Sequence, residues 1–342
     1  MDRTKVLLLF GGESSEHDVS VSSARNVFAA IDDDKYEVLL GYIDRHGKWW
    51  LLENFNLNVS THDAPQLLPA LGGKGFVTVP DHNIINPDVI LPILHGRNGE
   101  DGTVQGLAQL IHIPMVGCDV TASGIAMNKL ATKQILSANG IEVIPFEAHR
   151  DYEDIPDFGR LTMRLGSPIF VKPARAGSSV GVSKVRNESE FKEALAEAHR
   201  HDPIALIERA IPGRELEVAV LGTPPNHKVS GVGEIIPGEE FYSYDDKYAT
   251  ESSAQVVIDP ELSDDMREKL RTTAMRVFEV LDCQGLARVD YILGKDDTLY
   301  VLEVNTMPGF TNISMYPKLW RQQGISYPQL IEHLIEDALN RT

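Results

Sequence analysis

Five consecutive apolar residues, Val6-Leu7-Leu8-Leu9-Phe10, are closed by Gly11-Gly12. A run that short, apolar at every position and stopped by glycines reads as a buried strand. Burial on both faces is the mark of a parallel sheet flanked by helices. The next segments keep that rhythm. The spacing of Val27, Phe28 and Ile31 predicts a helix over residues 20–31, with strands at 37–43 and 89–94. A glycine-rich loop, residues 95–102, then leads into a helix carrying Leu107, Leu110 and Ile111. Strands alternating with helices predict an α/β fold whose ligand groups gather at the C-terminal ends of parallel strands.

With 342 residues the chain has room for two or three domains of roughly 100–150 residues. A boundary is expected near 120–128. Beyond it, residues 128–139 read as a helix ended by Gly140, and short strands follow at 169–172, 204–208 and 215–221. In the last third a helix spans 263–281, with Met266, Leu270, Ala274, Val277 and Leu281 on one stripe and Ser263 as its cap. Strands at 286–293 and 299–304 and a closing helix from Pro328 complete the pattern. The stretch 237–253 is polar, rich in aromatics and without periodicity, so it reads as a long functional loop.

The formal net charge is -18. No basic surplus exists to neutralise nucleic-acid phosphates, so a nucleic-acid binder is not expected. A nucleotide site would need a few placed Lys, Arg or metal ions to become locally positive. Only Cys118 and Cys283 are present, which implies no disulfide framework and fits a reducing cytoplasm. The first apolar run is too short for a signal peptide, and no run approaches the roughly 18 residues of a membrane span.

The strongest local chemical signal lies in the last two strands. Alternation puts Arg288 and Asp290 on one face, and Glu303 and Asn305 on one face with Leu302 and Val304 opposite. Adjacent strands would present Asp290, Glu303 and Asn305 together as hard oxygen ligands suited to Mg²⁺ beside phosphates, with Arg288 alongside. Alternation alone is also met by two amphipathic strands with solvated polar faces. Gly177-Ser178-Ser179-Val180-Gly181 could close backbone N–H groups and hydroxyls over phosphates, or be a plain hairpin turn. It is not a Walker A loop, and no G-x-G-x-x-G dinucleotide fingerprint occurs in the chain.

Lys172 ends the buried strand after Ile169-Phe170-Val171 and needs a partner there, either a nucleotide phosphate or a nearby carboxylate. Lys129 sits in a similar context. Glu16 and His17 follow the first strand's exit. A carboxylate at that point could hold an ammonium group or simply favour a helix start through the dipole. His95, at the end of the third strand, could be an active-site donor or a loop histidine.

Six segments, each weak alone, occur in an order that resembles the D-alanine–D-alanine ligases of the ATP-grasp superfamily. They are Gly11-Gly12-Glu13-Ser14-Ser15-Glu16, His95-Gly96-Arg97-Asn98-Gly99-Glu100-Asp101-Gly102, Phe170-Val171-Lys172-Pro173, the Gly177 to Gly181 loop, Arg288-Val289-Asp290, and Glu303-Val304-Asn305-Thr306-Met307-Pro308-Gly309. The resemblance covers almost the whole chain. It implies a three-domain ATP-grasp fold with an N-terminal Rossmann-like domain over 1–125, a central subdomain over 126–220, and a C-terminal subdomain over 221–342. The last would carry the metal site and a lid loop at about 237–253.

By the same resemblance ATP lies between the second and third units. Lys129 and Lys172 would contact its phosphates, and Ser178, Ser179 and Val180 would cover them. Glu208, Arg209 and Ile211 would line the adenine pocket, partly through backbone, and Glu215 would take the ribose. Asp290, Glu303 and Asn305 would hold two Mg²⁺ or Mn²⁺ ions, and a monovalent cation could assist. Glu16 would bind the ammonium of the first D-alanine, with Ser179 also in the catalytic set and His95 close by. Arg288 and the N–H of Gly309 would form the oxyanion hole. Ser314, Met315 and Lys247 would receive the second D-alanine, and Tyr248 would close the loop above the first.

The implied reaction phosphorylates one D-alanine on its carboxylate and lets the amine of the second attack the acyl-phosphate, for peptidoglycan precursor synthesis. The implied enzyme is cytoplasmic and homodimeric, with no nucleic-acid or membrane partner. Asn128, Met307 and Asn312 depart from residues common in the family. Related enzymes place D-serine or D-lactate second. Lys247-Tyr248 stands where, by resemblance, D-lactate enzymes carry histidine, which favours an amino acid, and an added hydroxyl is rejected poorly by a pocket. A nucleotide-binding sensor on a ligase fold, which should have lost a metal ligand or the arginine, and another ATP-grasp carboxylate–amine ligase are the remaining readings.

Overall fold

The computed structural model describes residues 3–55, 59–237 and 255–341. Its first crossover unit is β1 (Thr4–Gly11), α1 (His17–Ala30) and β2 (Tyr36–Ile43), with β1 and β2 paired in parallel. The chain next passes through β3 (Trp49–Leu52), β4 (Gln66–Pro69), β5 (Phe76–Val79) and β6 (Ile84–Ile85), each antiparallel to its predecessor. β7 (Val89–Ile93) then returns to the other side of β1, again in parallel. The sheet order is β6-β5-β4-β3-β2-β1-β7. The expected parallel sheet is therefore parallel only across β2, β1 and β7. Parallel pairing needs a crossover of a dozen or more residues, and no described helix separates β2 from β6.

The two glycines after β1 both take positive φ, +94° at Gly11 and +107° at Gly12, which turns the chain sharply into α1. The β7 strand runs through the glycine-rich loop into α2 (Thr103–Leu110). Two short helices follow, α3 (Val120–Met127) and α4 (Lys129–Ala138). Asp119 and Asn128 cap them by accepting from the N–H groups of Ala122 and Ala131. Asn128 thus performs a capping task that an aspartate would also perform.

A second sheet holds β8 (Phe146–Arg150), β9 (Ile169–Pro173), β10 (Ser183–Val185) and β11 (Ile204–Arg209) in the order β10-β9-β11-β8. α5 (Phe158–Leu165) and α6 (Glu188–His201) cover it through Leu161, Leu165, Phe191 and Leu195. The third sheet has the order β14-β13-β12-β15-β16, built from β12 (Gly213–Leu221), β13 (Lys228–Ile236), β14 (Gln255–Ile258), β15 (Leu286–Gly294) and β16 (Leu299–Asn305). α7 (Asp264–Val280) lies against it with Leu270, Ala274, Val277 and Phe278 buried. Ser263 caps that helix by accepting from Met266 N–H at 3.3 Å. Ser263→Ala is expected to lower the unfolding free energy by about 1 kcal/mol; an unchanged denaturation midpoint would contradict the capping assignment.

Two further segments join the third sheet. β12 pairs with both β13 and β15, so residues 213–221 sit in the third sheet rather than the second. Cys118, Ala122, Ala126, Leu136, Ile141 and Val143 share a core cluster with Val289, Val301 and Val304, so the α3–α4 segment packs under the third sheet too. The closing helices, α8 (Met315–Gln322) and α9 (Tyr327–Asn340), return to the first sheet. Trp320, Leu330, Leu334 and Ile335 share one core with Val6, Leu8, Val27 and Leu91. Among the described residues no helix is long and apolar enough to cross a membrane.

Candidate active site

Two adjoining cavities, about 620 and 1170 Å³, open between the three sheets. Lys129, Ser178, Glu215 and Glu303 line both. The smaller cavity is also lined by Glu16, His95, Arg288, Asp290, Asn305, Gly309, Ser314 and Met315. The larger is lined by Lys172, Ser179, Val180, Glu208, Arg209 and Ile211. Every candidate residue within the described part of the chain thus meets one cavity or the other. Lys247, Tyr248 and nearly all of the expected lid lie outside the described residues.

The acidic wall comes from β15, β16 and β12. Arg288 faces Asn305, and Asp290 faces Glu303, across the β15–β16 pair. The register slips beyond that point, because Tyr291 pairs with Val301. Leu302 is the extra residue, and it lines both cavities instead of turning to the opposite face as simple alternation predicts. Arg288 donates from Nε and one terminal nitrogen to the two oxygens of Asp290, each at 2.7 Å. Its Nε also lies 3.1 Å from Glu217. Burial opposes the guanidinium charge, but Asp290 and Glu217 outweigh it, and Arg288 titrates well above its ordinary range.

Glu215, Glu217, Asp290 and Glu303 line the smaller cavity against the cations Arg288, Lys129 and Lys318. The Oδ1 of Asn305 accepts from Met307 N–H at 3.0 Å, which fixes the amide toward the strand end. Two carboxylates and an amide oxygen in a carboxylate-rich wall are the donor set for a hard divalent cation completed by phosphate oxygens. A polyphosphate would be repelled there without one. The donor set fits Mg²⁺ or Mn²⁺.

The Ser178 to Gly181 loop joins β9 to β10 on the opposite side. Ser178 and Ser179 both take left-handed backbone, φ +51° and +60°, a conformation that costs non-glycine residues of order 1 kcal/mol or more each. Ser178 Oγ donates to Glu16 Oε1 at 2.6 Å. Glu16 stands at the start of α1, yet its side chain does not cap the helix. It points instead into the cavity, only 7% exposed. Gly96 takes a positive φ of +74° beside it, which favours glycine there, and a Cβ would lie 2.8 Å from Glu16 Oε2. His95 is buried, with Nδ1 3.2 Å from Met307 O and 3.8 Å from Glu100. Burial works against its charge, but Glu100 and then Glu16 raise its pKa above the ordinary value.

Lys172 has the carboxylate partner, Glu208 Oε2 at 2.8 Å. The other oxygen of Glu208 lies 3.0 Å from Lys133 Nζ. Burial pushes the Glu208 carboxyl up, but the two ammonium groups prevail and hold it below its usual range. Lys129 donates to Ala176 O at 2.8 Å and lies 3.5 Å from Glu303, bridging the serine loop and the acidic wall. Arg209 lines the larger cavity and turns its guanidinium to Leu165 O at 2.9 Å. At the far end Ser314 opens α8, and its hydroxyl bonds Thr311 Oγ1 at 2.8 Å. A helix start beside Ser314, Met315 and Lys318 is suited to a carboxylate.

Glu217 and Lys133 were not expected from sequence. Glu217 had a legible signal, since alternation in Glu215-Leu216-Glu217 puts both acids on one face. Lys133 had only its spacing four residues after Lys129.

The family description "D-ala D-ala ligase N-terminus" matches residues 5–118, and "D-ala D-ala ligase C-terminus" matches residues 135–336. The D-alanine–D-alanine ligase A of Chromobacterium violaceum is 42% identical over 354 aligned positions, covering 100% of this chain and 96% of its own. The VanG D-Ala:D-Ser ligase structure from Enterococcus faecalis superposes with a TM-score of 0.90 at 31% identity, covering 98% of this chain and 100% of its own. A Bacillus anthracis D-alanine–D-alanine ligase complexed with ATP gives 0.76 at 29% identity, with coverages of 99% and 98%.

Proposed function

The chain belongs to the D-alanine–D-alanine ligase family, and on that footing we propose that it joins two D-alanines at the expense of ATP. The product is D-alanyl-D-alanine, a precursor for peptidoglycan. The carrying observation is the pair of adjoining cavities that share Lys129, Ser178, Glu215 and Glu303. The larger cavity takes the nucleotide, with the base near Glu208, Arg209 and Ile211 and the ribose near Glu215. The smaller takes the two amino acids. Lys129, Lys172 and the loop of Ser178, Ser179 and Val180 surround the phosphates where the cavities meet.

Carboxylates acylate amines poorly because oxide is a poor leaving group. The first D-alanine, its ammonium at Glu16 and its reacting end toward His95 and Arg288, attacks the γ-phosphorus. A C–O–P linkage forms as the bond from the γ-phosphorus to the β-phosphate oxygen breaks, and ADP departs. Catalysis of such a step is mainly positioning and charge neutralisation. Asp290, Glu303 and Asn305 would hold Mg²⁺ or Mn²⁺, which when bound neutralises phosphate charge. The second D-alanine, its carboxylate at Ser314, Met315 and the start of α8, attacks with its deprotonated amine. Arg288 and the Gly309 N–H then receive the tetrahedral oxyanion, which collapses to the peptide and phosphate.

The three sheets suggest the division of labour: the first unit for the first amino acid, the second for the nucleotide, the third for metal and oxyanion. Lys247 and Tyr248 complete the second-substrate end as a lid. The enzyme acts as a cytoplasmic homodimer without nucleic-acid or membrane partners, in keeping with the -18 charge, and a monovalent cation can activate it. D-serine as second substrate is the alternative favoured by the likeness to the D-Ala:D-Ser ligase. Phosphate release from ATP, measured with D-alanine, D-serine, D-lactate and L-alanine singly and in pairs, tests all of this. D-alanine alone should support full turnover, and dependence on any other pair would overturn the assignment.

A further inference from the structure

Lys133 is a buried ammonium that the reaction above does not use. It lies one helical turn after Lys129 on α4, but unlike Lys129 it lines neither cavity and is only 1% exposed. Its Nζ sits 3.0 Å from Glu208 Oε1 and 5.8 Å from the centre of the Phe146 ring. Glu208 already has a cation at its other oxygen, Lys172 at 2.8 Å, which does line the nucleotide cavity. One carboxylate needs one counter-ion. A second ammonium buried behind it is costly unless it does something the first cannot.

The asymmetry between the two lysines suggests what that is. Lys172 faces the nucleotide, so it must share its charge with phosphate once ATP enters. Among the described residues Lys133 meets no second carboxylate and stays with Glu208. Kept ionised, the Glu208 carboxylate can only accept hydrogen bonds. It would accept from the 6-amino group of adenine and repel the 6-oxo group of hypoxanthine or guanine. A protonated Glu208 could donate to that oxo group and would discriminate less.

We propose that Lys133 is a positioning residue that sets purine selectivity by holding Glu208 as a permanent acceptor behind the base. The proposal rests on the reading of the larger cavity as the adenine site. Burial lowers the Lys133 pKa, opposed by Glu208, which agrees with an ammonium that depends on this one carboxylate.

Steady-state kinetics with ATP and ITP test it. The wild type should prefer ATP by at least about a hundredfold in kcat/KM, as sites built around one hydrogen-bonding group do. A wild type that uses ITP as well as ATP would overturn the proposal without any variant. In K133M, or K133Q if the methionine variant does not fold, KM for ATP should rise about tenfold with kcat changed less than about threefold, and the ATP:ITP ratio should fall at least tenfold. K133R should restore the ratio. An unchanged ratio, or an equal loss of kcat on both nucleotides, would overturn the role. E208Q separates the two claims. If E208Q alters the ratio and K133M does not, only the Lys133 role fails; if E208Q leaves it unaltered, the adenine reading of Glu208 fails as well.

Discussion

An Arg288→Ala enzyme is expected to bind ATP normally and to turn over roughly 10²–10³-fold more slowly, the loss typical of one oxyanion donor and equivalent to about 2.7–4 kcal/mol of barrier. The reason is the local architecture of β15. Arg288 is held by two 2.7 Å bonds to Asp290 and by Glu217 at 3.1 Å, so its guanidinium enters the smaller cavity already oriented. A preorganised cation costs no reorganisation when negative charge develops on the reacting carbonyl. Arg288→Lys keeps the charge but not the paired fork, and should recover only part of the rate. Steady-state kcat beside equilibrium nucleotide binding separates the two effects. Unchanged turnover in the alanine variant would remove Arg288 from the chemistry.

Asp290→Asn should carry the second large effect. The side chain keeps its shape but loses the charge that both Arg288 and a divalent cation would use. The Mg²⁺ concentration giving half-maximal rate should rise by about tenfold or more, since even groups supporting a metal ligand change affinity by that much. Direct binding of Mn²⁺ to the nucleotide complex, read by water-proton relaxation, should weaken in parallel. Identical titrations for variant and wild type would discredit Asp290 as a ligand. A second outcome is expected at saturating metal: Arg288 loses one of its two carboxylate anchors, so kcat should remain below wild type.

Much of the architecture was legible because periodicity reports burial directly. The all-apolar run of β1 and the stripe on α7 each name their own environment, and the structure places them accordingly. What stayed hidden depended on pairing between distant segments. The antiparallel excursion of β3 to β6 uses strands of four residues or fewer, too short to declare a period. β12 could not be allotted to its sheet without knowing that β13 and β15 flank it. Leu302 points into the cleft because of one slipped register, which alternation has no means to signal.

The candidate site shows the same division. Its motifs stood out as strings of Gly, Ser, Asp and Asn, and their residues gather at two adjoining cavities. Their partners did not stand out. Lys172 needed a counter-ion, but nothing in the string pointed to Glu208, and nothing pointed to Lys133 behind it. Ser178 and Glu16 are 162 residues apart, so their 2.6 Å bond is a product of the assembled fold. Long-range charge pairing of this kind is fixed only when the sheets meet.

The most direct test of the site is a crystal structure grown with Mg²⁺ and a non-hydrolysable ATP analogue. Metal density is expected among Asp290, Glu303 and Asn305, the γ-phosphate between Lys129 and the Ser178 to Gly181 loop, and the base beside Glu208. Nucleotide bound elsewhere, or a metal held without Asp290 and Glu303, would contradict it.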